Sequence, residues 1–265
     1  MKIVLIADLH CREIWKYIVE KEKDADKIIF LGDYTCPKEV KVKNPSDICK
    51  FLYDVLDFKD KNPNKVVLLR GNHDLASCGY YWAQCYPQDY SEVREYWQTK
   101  DIKDWFLKHT QWVYVIPETN IVCSHAGIGQ EFLNSCIKKC NSGNKCLLEQ
   151  ISKINELIPS ELFGFTDGGS YDVIGDSKTQ PCTWIRPYTL LIHGVKDIVH
   201  VVGHTPVDHI YNIKEDLTKI CKKYNIKNNE EVVESYCDVW CCDNLAKGEY
   251  LIIENGEFYP KSIHY

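Results

Sequence analysis

The sequence predicts an α/β protein built around a parallel sheet, and three observations carry that expectation. Short continuous apolar runs at Lys2 to Ala7, Lys27 to Leu31 and Lys65 to Leu69 have the length and β-branched content of strands buried on both faces. Segments with helical apolar spacing separate them, and strand–helix–strand–helix–strand order implies parallel pairing through right-handed crossovers. Each run then breaks into polar residues: Asp8-Leu9-His10, Gly32-Asp33 and Gly71-Asn72-His73-Asp74. Parallel pairing delivers all three polar ends to one edge of the sheet, where open α/β sheets hold their ligands.

The elements follow in order. After the first strand, Ile14, Tyr17 and Ile18 outline one apolar helix face. Ser46 is the expected N-cap of the next helix, in which Ile48, Phe51, Leu52, Val55 and Leu56 recur at helical spacing. Gly71 lets the chain turn tightly as it leaves the third strand. Residues 75–110, rich in tryptophan, tyrosine and acids, interrupt the alternation and predict a mostly helical insertion near the strand ends. Its aromatics (Tyr80, Tyr81, Trp82, Tyr86, Tyr90, Tyr96, Trp97) either form the core of the insertion, the preferred reading, or stack a base or phenyl ring.

Trp112 to Ile116 and Asn120 to Ser124 predict a hairpin around Pro117-Glu118-Thr119, closing in Ser124-His125-Ala126-Gly127. A second insertion occupies residues 130–197, helical through 145–158 and loop-rich around Gly168-Gly169. Ile198 to Val202 is a further strand, closing in Gly203-His204-Thr205-Pro206, and Asp238 to Tyr259 predicts strands with an Asn255-Gly256 hairpin turn. With no repeat, low-complexity tract or linker, one domain over residues 1–265 with two insertions is expected.

Composition narrows the class. A 265-residue chain that is 45% apolar is ordinary for a globular protein. Its net charge of −6 is the wrong sign for a nucleic-acid partner. No apolar run approaches the ~20 residues of a membrane span, and the N-terminus enters a strand at once, so a cytoplasmic protein is expected. Several of the 14 cysteines (Cys11, Cys123, Cys241, Cys242) sit in or beside apolar runs, where a thiol is a small hydrophobe. Cys136, Cys140 and Cys146 lack the Cys-x-x-Cys pair of a zinc site.

Five apolar strands thus end in polar clusters: Asp8 with His10, Asp33, Asn72 with His73, His125, and His204. Four of the nine histidines occupy these ends, which generic loop polarity does not explain. Carboxylates, imidazoles and an amide oxygen together suit borderline divalent metals such as Mn, Fe or Zn. The absence of cysteine among them disfavours a closed structural zinc site. A shared carboxylate bridging two ions ~3.5–4 Å apart is the arrangement used for in-line phosphoryl displacement, so the residues point to a two-metal hydrolase. His109, His193 and His200 are expected to be structural.

In this order, over residues 8–205, the five blocks resemble the motifs of the calcineurin-like metallophosphoesterase superfamily. Leu68-Leu69-Arg70-Gly71-Asn72-His73 and His125-Ala126-Gly127 are most similar to its phosphoprotein phosphatase branch and relatives, including the diadenosine tetraphosphatases. The resemblance implies a four-layer α-β-β-α sandwich of two mixed β-sheets flanked by helices. It implies two divalent ions at the strand ends, Mn2+ first, with Fe or Zn as alternatives. Asp8 and His10 would hold the first ion, Asp33 would bridge, and Asn72, His125 and His204 would hold the second. A hydroxide shared by the ions would attack phosphorus while His73 protonates the departing oxygen. Arg70 would orient the site or pair with Asp74, and Arg186 would clamp substrate phosphate beside Asn72. The competing account of Arg186 is a surface arginine in a loop.

The sequence also departs from the family pattern. Where family protein phosphatases continue Gly-Asp-x-x-Asp-Arg-Gly, Asp33 is followed by Tyr34-Thr35-Cys36-Pro37. Cys36 thus replaces the aspartate that orients the catalytic histidine, and Pro37 the phosphate-gripping arginine, which weighs against phosphoserine or phosphothreonine proteins. Pro206 stands where many phosphodiesterases of the superfamily place another metal-binding histidine, which favours the phosphatase side. The expected activity is a metal-dependent phosphatase acting on phosphomonoesters carried by a small molecule, nucleotide or phosphoprotein. The competitors are a (di)nucleotide pyrophosphatase or phosphodiesterase, and a catalytically weak metal-binding interaction protein. Retention of His73 argues against the last.

Overall fold

The computed structural model describes residues 1–38, 44–80, 95–97, 101–162, 172, 174–223 and 230–263. The strands are β1 (Lys2–Ile6), β2 (Lys27–Phe30), β3 (Val66–Leu68), β4 (Val113–Val115), β5 (Ile121–Ser124), β6 (Val199–Val202), β7 (Tyr211–Asn212), β8 (Asp238–Cys241), β9 (Glu249–Glu254) and β10 (Glu257–Ser262). The helices used below are α1 (Ile14–Lys21), α2 (Pro45–Lys61), α3 (Asn72–Ser77), α4 (Ile102–His109), α5 (Gln130–Cys140), α6 (Leu147–Ser152), α7 (Pro159–Leu162), α8 (Pro187–His193) and α9 (Ile213–Lys223).

Two mixed five-stranded sheets result, ordered β10-β9-β1-β2-β3 and β4-β5-β6-β8-β7. In the first, β1, β2 and β3 are parallel and β9 runs antiparallel to β1. In the second, β5, β6 and β8 are parallel, with β4 and β7 antiparallel at the edges.

The continuous apolar strands are explained by burial on two sides. Ile3 and Leu5 of β1, with Ile29 of β2, join Ile121, Cys123, Val201 and Trp240 in one core between the sheets. The alternate residues Val4, Ile6, Ile28 and Phe30 face outward into a second core with α1, α2 and α4. On the far side of the second sheet, Val122 packs with α5, α6 and α7, and Val202, Val239 and Cys241 with α8 and α9. Helices, sheet, sheet, helices is the four-layer order.

Two local expectations are corrected, and the expected strands of the tail prove to be shared between the sheets. Tyr17 is 62% exposed and Trp15 takes the buried face instead, because its ring meets Phe30 edge-on at 5.6 Å and sets the rotation of α1. The N-cap of α2 is Asn44, in extended backbone, with Pro45 beginning the helix, so Ser46 lies inside the first turn. The tail is divided between the sheets: β8 extends the second, whereas the β9–β10 hairpin completes the first. That hairpin turns at Asn255 and Gly256, both at positive φ as a type I′ turn requires. Trp240 of β8 and Phe258 of β10 stack at 4.7 Å between the sheets.

In the first insertion, Trp97 is fully buried and Tyr80 and Tyr96 pack against the same core, while Tyr81, Trp82, Tyr86 and Tyr90 lie outside the described residues. So does the Gly168-Gly169 loop of the second. Among the described residues no disulfide forms, and no helix is long and apolar enough to cross a membrane.

Candidate metal centre

The loops after β1, β2, β3, β5 and β6 all emerge at the same end of the two sheets, so Asp8, His10, Asp33, Asn72, His125 and His204 converge although they span 196 positions. Convergence constrains the backbone. Asp8, His10, Asp33 and His204 have φ of 47°, 45°, 55° and 66°. This left-handed region is tolerated by Asp and His better than by most side chains, yet costs about 1–3 kcal/mol per residue. Two close approaches demand glycine: a Cβ on Gly71 would stand 2.1 Å from Asp33 Oδ1, and one on Gly203 would stand 2.1 Å from Asp8 Oδ2.

Asp74 fastens these loops together. Its buried carboxylate accepts the backbone N–H groups of Asp33 (2.8 Å), Tyr34 (2.8 Å) and Gly71 (3.0 Å). Asp33 Oδ1 accepts the backbone N–H of His73 at 3.0 Å, which leaves Asp33 Oδ2 facing inward. Similarly, both oxygens of Asp8 accept the N–H of His204, at 3.1 and 2.9 Å.

Asp33 Oδ2 stands among three imidazole Nε2 atoms, 3.6 Å from His125, 3.8 Å from His10 and 3.8 Å from His73. His10 Nε2 is also 4.0 Å from Asp8 Oδ1. A second group adjoins the first: Asn72 Oδ1 is 2.9 Å from His125 Nε2 and 3.0 Å from His204 Nδ1. Ligand atoms of Asp8, Asp33 and His125 all lie within 4.8 Å of one another. Donors ~2.1 Å from one cation are about 3–4 Å apart, so the separations of 3.6 to 4.0 Å around Asp33 and Asp8 suit ions better than direct hydrogen bonds.

The imidazoles are prepared for ligation. His10 Nδ1 donates to the Cys36 carbonyl and His125 Nδ1 to the Leu31 carbonyl, each at 2.7 Å, which turns the Nε2 lone pairs inward. His10 Nε2 and His204 Nε2 are buried without a hydrogen-bond partner. Burial depresses the pKa of His10 to about 3 and lowers those of His125 and His204, favouring the neutral form that binds a cation. Burial alone would raise the Asp33 carboxyl, but the imidazoles of His125, His73 and His10 hold it below the usual range. The chemistry and spacing of this donor set fit divalent ions.

The remaining expected residues are placed as follows. His73, with 17% of its side chain exposed, borders the cluster with its ring edge-on to His10 at 5.3 Å. Arg186 lies at the rim: Nη1 donates to Thr205 Oγ1 at 3.2 Å, Nε to the Ile174 carbonyl at 2.7 Å, and Cζ sits 5.2 Å from the Trp184 ring. Trp184 in turn lies 5.1 Å from the His204 ring.

The expected Arg70–Asp74 pair does not form. Arg70 turns away to the end of α4, donating to Thr110 Oγ1 and to the Leu107 and Thr110 carbonyls, with Cζ 4.4 Å from the Trp112 ring. The last carbonyls of that helix need donors, and a guanidinium satisfies them. Asp74 instead accepts three backbone amides of the β2 and β3 loops. Of the histidines expected to be structural, His200 pairs with the Val195 carbonyl and His109 with the Trp105 carbonyl.

Sequence reasoning missed three residues beside the cluster. Asp243 follows β8 and is buried where its charge, after burial itself, raises the Asp8 carboxyl most. Val239-Trp240-Cys241-Cys242-Asp243 repeats the apolar-run-then-acid signal of the other strand ends and was legible by the same rule. Arg12 and Lys38 line a cavity together with His10. No strand-end pattern marks either of them.

The sequence matches the family model described as calcineurin-like phosphoesterase over residues 1–228. Among solved structures, a point mutant of a cold-active protein tyrosine phosphatase aligns with 17% identity and a TM-score of 0.57, covering 98% of this chain and 77% of that one. The cold-active protein-tyrosine phosphatase of a psychrophilic Shewanella species aligns with 16% identity and a TM-score of 0.53 at the same coverage. At these identities the likeness shows the shared fold. No match was found among curated protein sequences. With the strand-end motifs, the two-sheet sandwich and a family match over most of its length, this chain belongs to the calcineurin-like phosphoesterase family.

Proposed function

We propose that the protein is a dinuclear-metal phosphatase that hydrolyses phosphomonoesters. The observation that carries this reading is Asp33 Oδ2 held among the Nε2 atoms of His125, His10 and His73, beside Asn72 Oδ1. Asp8, His10 and Asp33 would hold one ion, and Asp33, Asn72, His125 and His204 the other, with Mn2+ best suited to so oxygen- and imidazole-rich a set. When bound, two such ions supply a water of lowered pKa and positive charge for the phosphoryl oxygens.

The chain's own groups do the rest. His73 borders the cluster without a proposed ligand role, and it donates the proton that the departing oxygen needs. Burial lowers its pKa, so protonation there depends on the neighbouring Asp33 carboxylate, whose charge opposes that shift. Arg186, steadied by Thr205 and the Ile174 carbonyl, presents its guanidinium to the phosphate from the side of His204, and Asn72 adds its amide. Arg70 and Asp74 act on the site only through the loops they brace. The test is hydrolysis of p-nitrophenyl phosphate by Mn2+-loaded protein against chelated protein. Metal-dependent release of phosphate supports the reading, and inactivity across several phosphomonoesters overturns it.

A further inference from the structure

Residues 174–177 turn over the segment that carries Arg186, and Asp172 holds that turn together. Its carboxylate accepts the backbone N–H of Ile174 on Oδ1 at 2.9 Å and that of Ser177 on Oδ2 at 2.6 Å. Burial would raise this carboxyl, yet the N–H groups of Ile174, Ser177, Gly175 and Asp176 hold it below its ordinary 3.8. An aspartate that gathers the amides just after it fixes the local backbone, and its charge strengthens each of those bonds.

The carbonyls of the same turn meet the Arg186 segment. Ile174 offers its carbonyl to Arg186 Nε at 2.7 Å, Gly175 to the Arg186 backbone N–H at 3.0 Å, and Asp176 to the Thr189 hydroxyl at 3.0 Å. The Asp172 carbonyl accepts Trp184 Nε1 at 3.1 Å. A Cβ on Gly175 would stand 2.6 Å from the Trp184 carbonyl oxygen, so the turn lies directly on this segment.

The outcome is an arginine fixed at two nitrogens. Ile174 holds Nε, and Thr205, which follows His204, holds Nη1 at 3.2 Å. The Trp184 ring lies 5.2 Å from Cζ of Arg186 and 5.1 Å from the ring of His204. An arginine free to change rotamer would have to be ordered by the phosphate it grips, which costs affinity.

We infer that Asp172 is a positioning residue for phosphate binding: it shapes the 174–177 turn, and through the Ile174 and Gly175 carbonyls it holds the Arg186 guanidinium where a phosphate meets it. This rests on the phosphatase reading above, in which Arg186 grips the substrate phosphate, and adds to it a residue that acts only through Arg186.

The experiment is a double-mutant cycle on the Mn2+-loaded full chain: wild type, Asp172→Ala, Arg186→Ala and the double variant, each with its metal content measured. Affinity for inorganic phosphate is measured by calorimetry, and KM for p-nitrophenyl phosphate beside it. Arg186→Ala should weaken phosphate binding about tenfold or more, the ratio that one charge-assisted hydrogen bond provides. Asp172→Ala should weaken it about fivefold when Arg186 is present and about twofold or less when it is absent, with metal content unchanged and KM following. Asp172→Asn keeps one accepting oxygen for the turn, so its affinity should fall between those of the wild type and Asp172→Ala. It replaces Asp172→Ala in the cycle if the alanine variant does not fold. A merely structural loss would weaken binding alike with and without Arg186. That result, or an affinity unchanged by the Asp172 substitution, overturns the positioning role, while turnover by the wild type leaves the phosphatase reading standing. Absence of p-nitrophenyl phosphate turnover by the Mn2+-loaded wild type sinks the phosphatase reading, whereas the cycle, read in binding alone, still decides the role of Asp172.

Discussion

Asp33 Oδ2 and His125 Nε2 lie 3.6 Å apart, although one leaves the end of β2 in the first sheet and the other the end of β5 in the second. The proposed ions would thus tie the two sheets together at their strand ends, beyond the apolar core they already share. Replacing the shared oxygen should affect both ions at once. Asp33→Asn should lower bound metal to roughly half or less and cut turnover by about a hundredfold or more, a loss of several kcal/mol. Elemental analysis and steady-state kinetics check the two effects, and full metal occupancy in the variant would contradict the bridging role.

Asp74 should behave as a brace. Asp74→Asn replaces one accepting oxygen with an NH2 group facing backbone N–H donors, so about 1–3 kcal/mol of stability should be lost. Denaturant unfolding of the chelated protein measures this without the ions. A variant as stable as the wild type would show that the three backbone contacts to Asp74 contribute little.

His73→Ala should discriminate between leaving groups. An acid that protonates the departing oxygen matters most when that oxygen is strongly basic, and general acid catalysis contributes about 10²–10⁴-fold. The loss in kcat should therefore be larger on an alkyl phosphate than on p-nitrophenyl phosphate. Equal losses on both substrates would assign His73 to positioning instead.

A separate prediction concerns acid stability. Burial would raise the Glu22 carboxyl, yet hydrogen bonds from Lys2 and Tyr250 hold it below its ordinary 4.5. A depressed carboxyl contributes stability above the unfolded pKa and loses it as pH falls through the folded value. Glu22→Gln should therefore cost about 1 kcal/mol at neutral pH, with the difference from wild type closing as pH falls below about 4.5. Urea titrations at pH 7 and pH 3.5 test this, and a constant difference would refute it.

The strands and their polar ends were legible because a strand buried on both faces must be apolar throughout, so a charged residue marks where it stops. Asp8, Asp33 and His204 announced themselves in this way. Arg70 did not, because its partners are carbonyls of α4, some 40 residues away, which leave no trace in side-chain identity. Asp74 was noticed for its charge, but its actual partners are backbone N–H groups that every residue carries. The rotation of α1 depended on the encounter of Trp15 with Phe30, a tertiary contact that overrode a Tyr17 face equally consistent with helical spacing.

Asp8, His10, Asp33 and His204 all hold the left-handed backbone turn that L-amino acids resist. The polypeptide is consequently least comfortable at the very corners where its cations would sit. Binding them would offset that discomfort, so chelation should lower the melting temperature and loosen these three loops before the sheets beneath them.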